Sequence, residues 1–141
     1  MNFGELIIEL YRNTLYELRK LAKSNQLTIS QMLCILSIPI DGISQTNLAI
    51  KLSLDISTLS RNLDRLLDKE VIIKNYKTYD KRISTIYLTP QGSKLYQRLI
   101  DTLNNNLKKQ ISEPNVLELQ TLIDSMSDFN WLLIQKQLDE H

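Results

Sequence analysis

Apolar residues recur at spacings of three and four along most of this chain, the pattern of helices that bury one face. Between Asn2 and Ser24 the stripe is Phe3, Leu6, Ile7, Leu10, Tyr11, Leu15, Leu18, Leu21 and Ala22, broad enough to face more than one partner. Glu5, Glu9, Arg12, Glu17, Arg19 and Lys20 form the solvated side. Thr28-Ile29-Ser30-Gln31 matches a capping box, with Thr at the N-cap and Gln at N3. The helix it starts carries Met32, Leu33, Ile35 and Leu36 and ends near Pro39, and Ile40 to Ile43 is a turn. Ser44 to Leu52 is a short helix with Leu48, Ala49 and Leu52 inward, and Ser53-Leu54-Asp55 separates it from a helix over Ile56 to Lys69. There Ile56, Leu59, Leu63, Leu66 and Leu67 share one stripe, Ser57, Arg61, Asp64 and Asp68 point the opposite way, and Thr58, Ser60 and Arg65 lie on the flanks. Asp55 suits the N-cap, because its carboxylate can accept the free N–H groups of the first turn.

The period then changes. Val71-Ile72-Ile73 and Ile83 to Leu88 are β-branched runs around a polar tip from Asn75 to Arg82, which reads as a β-hairpin. Thr89 and Pro90 open another helix, proline being favourable in the first turn. It places Leu95, Leu99, Leu103, Leu107 and Ile111 at strict spacings of four, with Tyr96 and Ile100 beside them. Ser112-Glu113-Pro114 breaks it, and Asn115 with Glu118 resembles a second capping box. The last helix carries Leu119, Leu122, Met126, Phe129 and Leu133 at alternating spacings of three and four, the seam of a packed helix pair. Leu117, Ile123, Ile134 and Leu138 widen that seam.

Helix, turn, helix, hairpin is the order of a winged helix-turn-helix. The stretch LAIKLSLDISTLSRNLDRLLDKEVI, then Asp80-Lys81-Arg82, then Leu88-Thr89-Pro90-Gln91-Gly92 resembles the DNA-binding module of the MarR family (multiple antibiotic resistance regulators). Members carry a similar D-x-R in the wing, followed at the same distance by L-T-x-x-G. Two departures stand out: Glu70 occupies a position where glycine is common after the recognition helix, and the wing tip has neither glycine nor proline. The resemblance implies a mainly α fold with a small β-hairpin wing and helical dimerisation arms. Residues 1–141 then form a single MarR-like domain, with a DNA-binding lobe over 28–90 and a helical dimerisation region over 1–24 and 91–141.

Length, composition and charge fit this outline. A chain of 141 residues with 43% hydrophobic residues suits one compact domain with arms. Only 3 glycines leave no phosphate loop or dinucleotide fingerprint. With no membrane-length apolar run and no signal peptide at its start, the chain is expected in the cytoplasm, without a membrane partner. The net charge of +1 conceals a division: Ser44 to Arg98 holds ten bases against five acids, and the remainder seven against eleven. A basic module between acidic flanks is the footprint of DNA binding, although a difference of this size also arises by chance. One histidine, the terminal His141, and one cysteine, Cys34, rule out a zinc site within one chain and a Ser/His/Asp arrangement. No metal or other cofactor is expected, and no enzymatic activity. Some relatives sense oxidants through cysteines near the first helix; Cys34, in the second helix among apolar residues, reads as a buried inert thiol.

The candidate DNA-binding residues follow from position. Arg61 faces outward and can reach base edges, and Arg65 flanks it. Ser57, Thr58 and Ser60 either contact phosphates or bases, or simply favour the start of the helix. Gln45 and Thr46 begin the preceding helix, where exposed N–H groups can meet phosphate. Lys74, Lys77 and Lys81 are backbone contacts. Narrow minor grooves attract arginine, and in the proteins this chain resembles the D-x-R arginine enters one, which assigns that role to Arg82; Asp80 either holds Arg82 or makes the turn. Leu6, Leu10, Leu119, Leu122, Met126, Phe129 and Leu133 are the dimerisation set, because one chain cannot cover so much apolar surface, and a two-fold dimer spaces recognition helices about 34 Å apart. The family further implies a ligand-responsive repressor on a pseudo-palindromic operator, released by a small aromatic or lipophilic effector. Tyr11, Tyr16, Met32 and Tyr96 are lining residues by location, with core packing as the alternative for each. Two rival functions are a winged helix used for protein contact and a small-ligand-binding helical protein without an operator.

Overall fold

The computed structural model describes residues 1–77, 80–111 and 116–140, leaving aside the side chains of 77, 80–83 and 116. Its order is α1 (Phe3–Ser24), α2 (Ile29–Leu36), β1 (Ile43–Ser44), α3 (Gln45–Leu52), α4 (Ile56–Asp68), β2 (Ile72–Lys77), β3 (Asp80–Leu88), α5 (Pro90–Gln110) and α6 (Val116–Glu140). It forms two compact units, Met1–Asn104 and Asn105–His141.

In the first unit, helix starts are set by local side chains. Asn2 and Glu5 close a capping box on α1, with the Glu5 amide donating to Asn2 Oδ1 at 2.9 Å and the Asn2 amide to Glu5 Oε2 at 2.8 Å. Thr28 and Gln31 form the expected box on α2, both bonds at 3.1 Å. Ser44 caps α3 through the Asn47 amide at 3.1 Å, and Ser53, left-handed at φ 54°, ends that helix. Helix α2 stops at Leu36, short of Pro39. The αα turn then delivers α4, whose Leu59, Leu63 and Leu66 are fully buried against α2 and α3. With Met32, Ile35, Leu48, Ile72, Ile86 and Leu99 they make the core, each side chain contributing about 1.5–3 kcal/mol. Ile56, expected on the same stripe, is 51% exposed. It is the first residue of α4, where the apolar stripe runs past the elements that cover Leu59 onward.

The sheet is larger than a hairpin. Its antiparallel order is β1-β3-β2, and β1 joins Ile43, the end of the expected turn, to Ser44, expected to begin the next helix. There the Gly42 amide donates to Pro39 O at 3.0 Å, and Gly42 takes φ 84°, which turns Ile43 and Ser44 alongside Ile86 and Thr85. Between β2 and β3 the ladder continues through Asn75↔Thr85, Tyr76↔Ser84 and Lys77↔Asp80, with an irregularity between Tyr76 and Lys77. Paired backbone therefore reaches well into the polar stretch expected to be tip, because ladder hydrogen bonds do not require apolar side chains.

The Leu88–Gly92 segment locks sheet to helix. The Thr89 amide donates to Val71 O at 3.1 Å, and the Thr89 hydroxyl donates to Glu70 O at 2.7 Å while accepting from the Gly92 amide at 3.0 Å. A Cβ at Gly92 would lie 1.9 Å from Val71 O, so only glycine lets α5 start this close. Glu70, where glycine is common, takes φ 61°. A side chain there costs about 1–2 kcal/mol.

In the second unit, α6 leaves Leu117, Leu122, Ile123, Met126, Trp131, Leu132, Leu133, Ile134 and Leu138 exposed, with Leu119 and Phe129 half-buried. The capping residue expected before it, Asn115, lies outside the described residues. Among the described residues, no helix is long and apolar enough to cross a membrane.

Candidate nucleic-acid interface

The outward face of α4 is built around Asp55. One carboxylate oxygen accepts from the Thr58 amide at 2.7 Å and from the Ser57 hydroxyl at 2.7 Å, and the other accepts from the Thr58 hydroxyl at 3.0 Å. The Thr58 amide, then the two hydroxyls, and more weakly the Arg61 charge hold the Asp55 carboxyl down to about 2. Arg61 Nη2 donates to Thr58 Oγ1 at 3.4 Å, which leans the guanidinium toward the same turn. Ser57, Arg61 and Arg65 are exposed, and Thr58 and Ser60 half-buried. Three of the expected residues on this helix, Ser57, Thr58 and Arg61, thus form one connected group with the capping Asp55.

The supporting elements are tied in by side chains that pattern alone did not single out. Asn62 Nδ2 donates to Ser30 Oγ at 2.6 Å, joining α4 to α2. Ser84 is buried in the sheet, and its hydroxyl donates to Gln45 Oε1 at 3.3 Å. Gln45 therefore spends its carbonyl on β3 and retains the amide NH2 as a donor, while neighbouring Thr46 is exposed. Polar residues of this kind carry no periodicity, so neither bond is announced in the sequence, whereas the Asp55 cap is.

The basic residues divide into two sets. Lys51 Nζ donates to Ser37 O at 3.1 Å, Lys69 Nζ to Gln26 O at 3.1 Å, and Arg98 Nη2 to Asn25 Oδ1 at 3.1 Å. Those three charges brace the first unit. Lys74 is half-buried on β2, opposite Ile86. Lys77, Asp80, Lys81 and Arg82 belong by backbone to β2 and β3, and the positions of their side chains lie outside the described residues.

The expected effector-lining residues occupy different environments. Tyr11 and Tyr16 are exposed on α1, with Lys20 Nζ 5.0 Å from the Tyr16 ring centre. Tyr96 packs on the edge of the core. Met32 has no exposed surface at all and is a core residue, because it sits on the inward face of α2. Cys34 is buried beside it, and desolvation pushes its thiol up to about 11, which keeps it protonated.

The MarR family pattern matches residues 10–84. The chain belongs to the MarR family. Its fold matches the crystal structure of wild-type MarR from E. coli in the apo form, with a TM-score of 0.75 at 24% identity over 89% of this chain and 96% of that one. A MepR variant from S. aureus bound to an oligodeoxyribonucleotide matches with a TM-score of 0.64 at 19% identity, over 94% and 99% of the two chains. An uncharacterised HTH-type transcriptional regulator of Bacillus subtilis, YdgJ, is 28% identical over 87 residues, 62% of this chain. The match spans 53% of that relative's length. The chain thus has the winged-helix fold of the MarR family, and α4 is the second helix of its helix-turn-helix.

Proposed function

We propose that the protein is a homodimeric repressor that binds a pseudo-palindromic site in double-stranded DNA and is released by a small aromatic or lipophilic effector, acting in the cytoplasm and without catalysis. The observation that carries this is α4: it buries Leu59, Leu63 and Leu66 completely while holding Ser57, Arg61 and Arg65 outward around a fixed N-terminus. Such a helix fits a major groove, with Arg61 on base edges. The Gln45 amide and Thr46 at the start of α3, Lys74, Lys77 and Lys81 contact phosphates, and Arg82, steadied by Asp80, enters the minor groove. The oligonucleotide-bound MepR structure supports this reading.

The dimer is inferred from exposed apolar surface on the two arms. Leu6 and Leu10 on α1 and Leu122, Met126 and Leu133 on α6 are all exposed, more than an isolated domain ordinarily leaves to water. A second copy covers them, with Leu119 and Phe129 completing the seam. In this arrangement residues 28–90 form the DNA-binding lobe, and 1–24 with 91–141 the dimerisation region. The effector meets Tyr11, Tyr16 and Tyr96, and reaches Met32 only by parting the core.

Selection of bound sites from random duplex DNA, followed by salt titration, tests the reading. A two-fold-related motif bound with steep salt dependence is the expected result. Arg61→Ala relaxes preference at particular positions of that motif, by about 1–3 kcal/mol of discrimination, whereas Arg82→Ala weakens every sequence and lowers the salt slope by about one. Absence of any selected motif, with protein partners captured through the same face, would instead favour a protein-contact module.

A further inference from the structure

The first turn of α4 has a chemical polarity that its serine and threonine do not by themselves dictate. A hydroxyl has one proton to donate and two lone pairs to accept with. An ionised carboxylate has only lone pairs, so in the 2.7 Å bond between Ser57 Oγ and Asp55 the proton belongs to Ser57. The same holds for Thr58 Oγ1 and the other carboxylate oxygen at 3.0 Å. Thr58 Oγ1 additionally accepts from Arg61 Nη2 at 3.4 Å. Both hydroxyl protons are therefore committed, and exposed Ser57 presents only acceptors outward. A phosphate oxygen has no proton to give at neutral pH and is repelled by the carboxylate behind the hydroxyls.

We propose that Asp55 is a specificity-positioning residue: it turns Ser57 into an acceptor that reads an exocyclic amino group in the major groove, N4 of cytosine or N6 of adenine, and bars the turn from phosphate. This rests on the DNA-binding function proposed above. Cytosine and adenine are the bases that offer a donor on the major-groove edge, whereas guanine and thymine offer acceptors there. One turn further along the same face, Arg61 offers donors, so α4 carries an acceptor followed by a donor. The motif should hold cytosine or adenine under Ser57, next to a guanine under Arg61.

The test uses the full-length protein and the duplex it selects from a random pool. Wild type, Ser57→Ala and Asp55→Asn are titrated on single-base variants at several salt concentrations. Pyrimidin-2-one in place of cytosine, and 2-aminopurine in place of adenine, remove the amino group in question and separate the two sources. At one position of each half-site, removal of the amino group should weaken wild type about tenfold and leave Ser57→Ala unaffected, with the salt slope of Ser57→Ala unchanged. Asn is itself a good cap: its one oxygen still accepts from the Thr58 amide and the Ser57 hydroxyl, while its NH2 cannot accept, so Asp55→Asn frees only the Thr58 hydroxyl proton. That variant should therefore keep the preference at the same position, and its freed Thr58 proton should add about one unit of salt slope. If Ser57→Ala instead weakens all sequences equally and lowers the slope, Ser57 anchors a phosphate and the proposal is wrong. It is equally wrong if no amino-group removal affects wild type. A failure of wild type to select any duplex would overturn the DNA-binding reading itself, and this inference with it. Should Asp55→Asn fail to fold, the base analogues and Ser57→Ala decide alone.

Discussion

Helices α4 and α6 are both rich in leucine, and the chain treats them in opposite ways. In α4 the apolar residues lie on one stripe, and Leu59, Leu63 and Leu66 disappear completely into the lobe. In α6 the apolar residues are spread around the helix, and Leu117, Leu122, Met126, Trp131 and Leu138 remain exposed. A segregated stripe can be satisfied by one neighbouring surface, whereas a helix apolar on several sides needs cover from more than one direction. The contrast separates apolar surface that this chain covers itself from apolar surface that it leaves exposed. The winged lobe is finished within the chain, and α6 is an unfinished surface.

The largest test of that contrast is a cavity in the finished part. Leu63→Ala removes a fully buried side chain from the centre of α4, and should cost about 4 kcal/mol of unfolding free energy. Chemical denaturation should show the loss independently of protein concentration. Equal stability in wild type and variant would mean that the lobe core is not what holds α4.

On α6 the corresponding substitution should act on assembly rather than on the lobe. Met126 is 51% exposed, so in the chain alone a charge there meets water. Covered by a second copy, Met126→Glu should weaken self-association about 100-fold, roughly 3 kcal/mol. Sedimentation across a concentration series reads this directly, and the variant's circular dichroism should keep its helical signal. A wild-type protein sedimenting as a folded 16.4 kDa species would remove the dimer from the proposal.

The two helices also differ in how far the sequence revealed them. Local devices were readable: the Thr28–Gln31 box, the Asp55 cap and the Leu59–Leu63–Leu66 stripe all involve residues within a turn or two of each other. Ile56 was misjudged because periodicity gives the direction of a side chain but not where its cover stops. The strand Ile43–Ser44 was missed because two residues are too few to show alternation, and its partner lies on β3. The Ser84–Gln45 and Asn62–Ser30 bonds join residues 39 and 32 positions apart, distances at which a single sequence carries no contact signal. The site on α4 was therefore visible as a face, while its internal wiring was not.

A smaller test concerns the exit from α4. Glu70 holds φ 61° where a glycine would be unstrained. Its carbonyl accepts from Thr89, so the backbone geometry is fixed whatever the side chain. Glu70→Gly should raise stability by about 1 kcal/mol, the left-handed penalty less the added freedom of glycine in the unfolded chain. Thermal unfolding of the two proteins measures it, and a lower midpoint for the variant would show that Glu70 contributes something its backbone does not reveal.

The smallest effect is expected at the entrance to α4, and acid is the probe. The Thr58 amide, with the Ser57 and Thr58 hydroxyls, lowers the Asp55 carboxyl to about 2 from an ordinary 3.8. A carboxyl whose folded value is depressed stabilises the fold fully above its ordinary value, and that contribution is lost as pH falls through the folded value. The loss thus falls between about pH 4 and pH 2, and neutral pH leaves the cap intact. Asp55 is solvent-exposed, so screening keeps the contribution small. In Asp55→Asn the amide still caps α4 but does not titrate there, so its stability should decline less steeply across that window. Carbon-13 NMR titration of the Asp55 carboxyl gives the direct check. A midpoint near the ordinary value would mean that the three hydrogen bonds are not maintained in solution. Ser57 would then be free to donate its proton, and the outward face of α4 would lose the acceptor that distinguishes it.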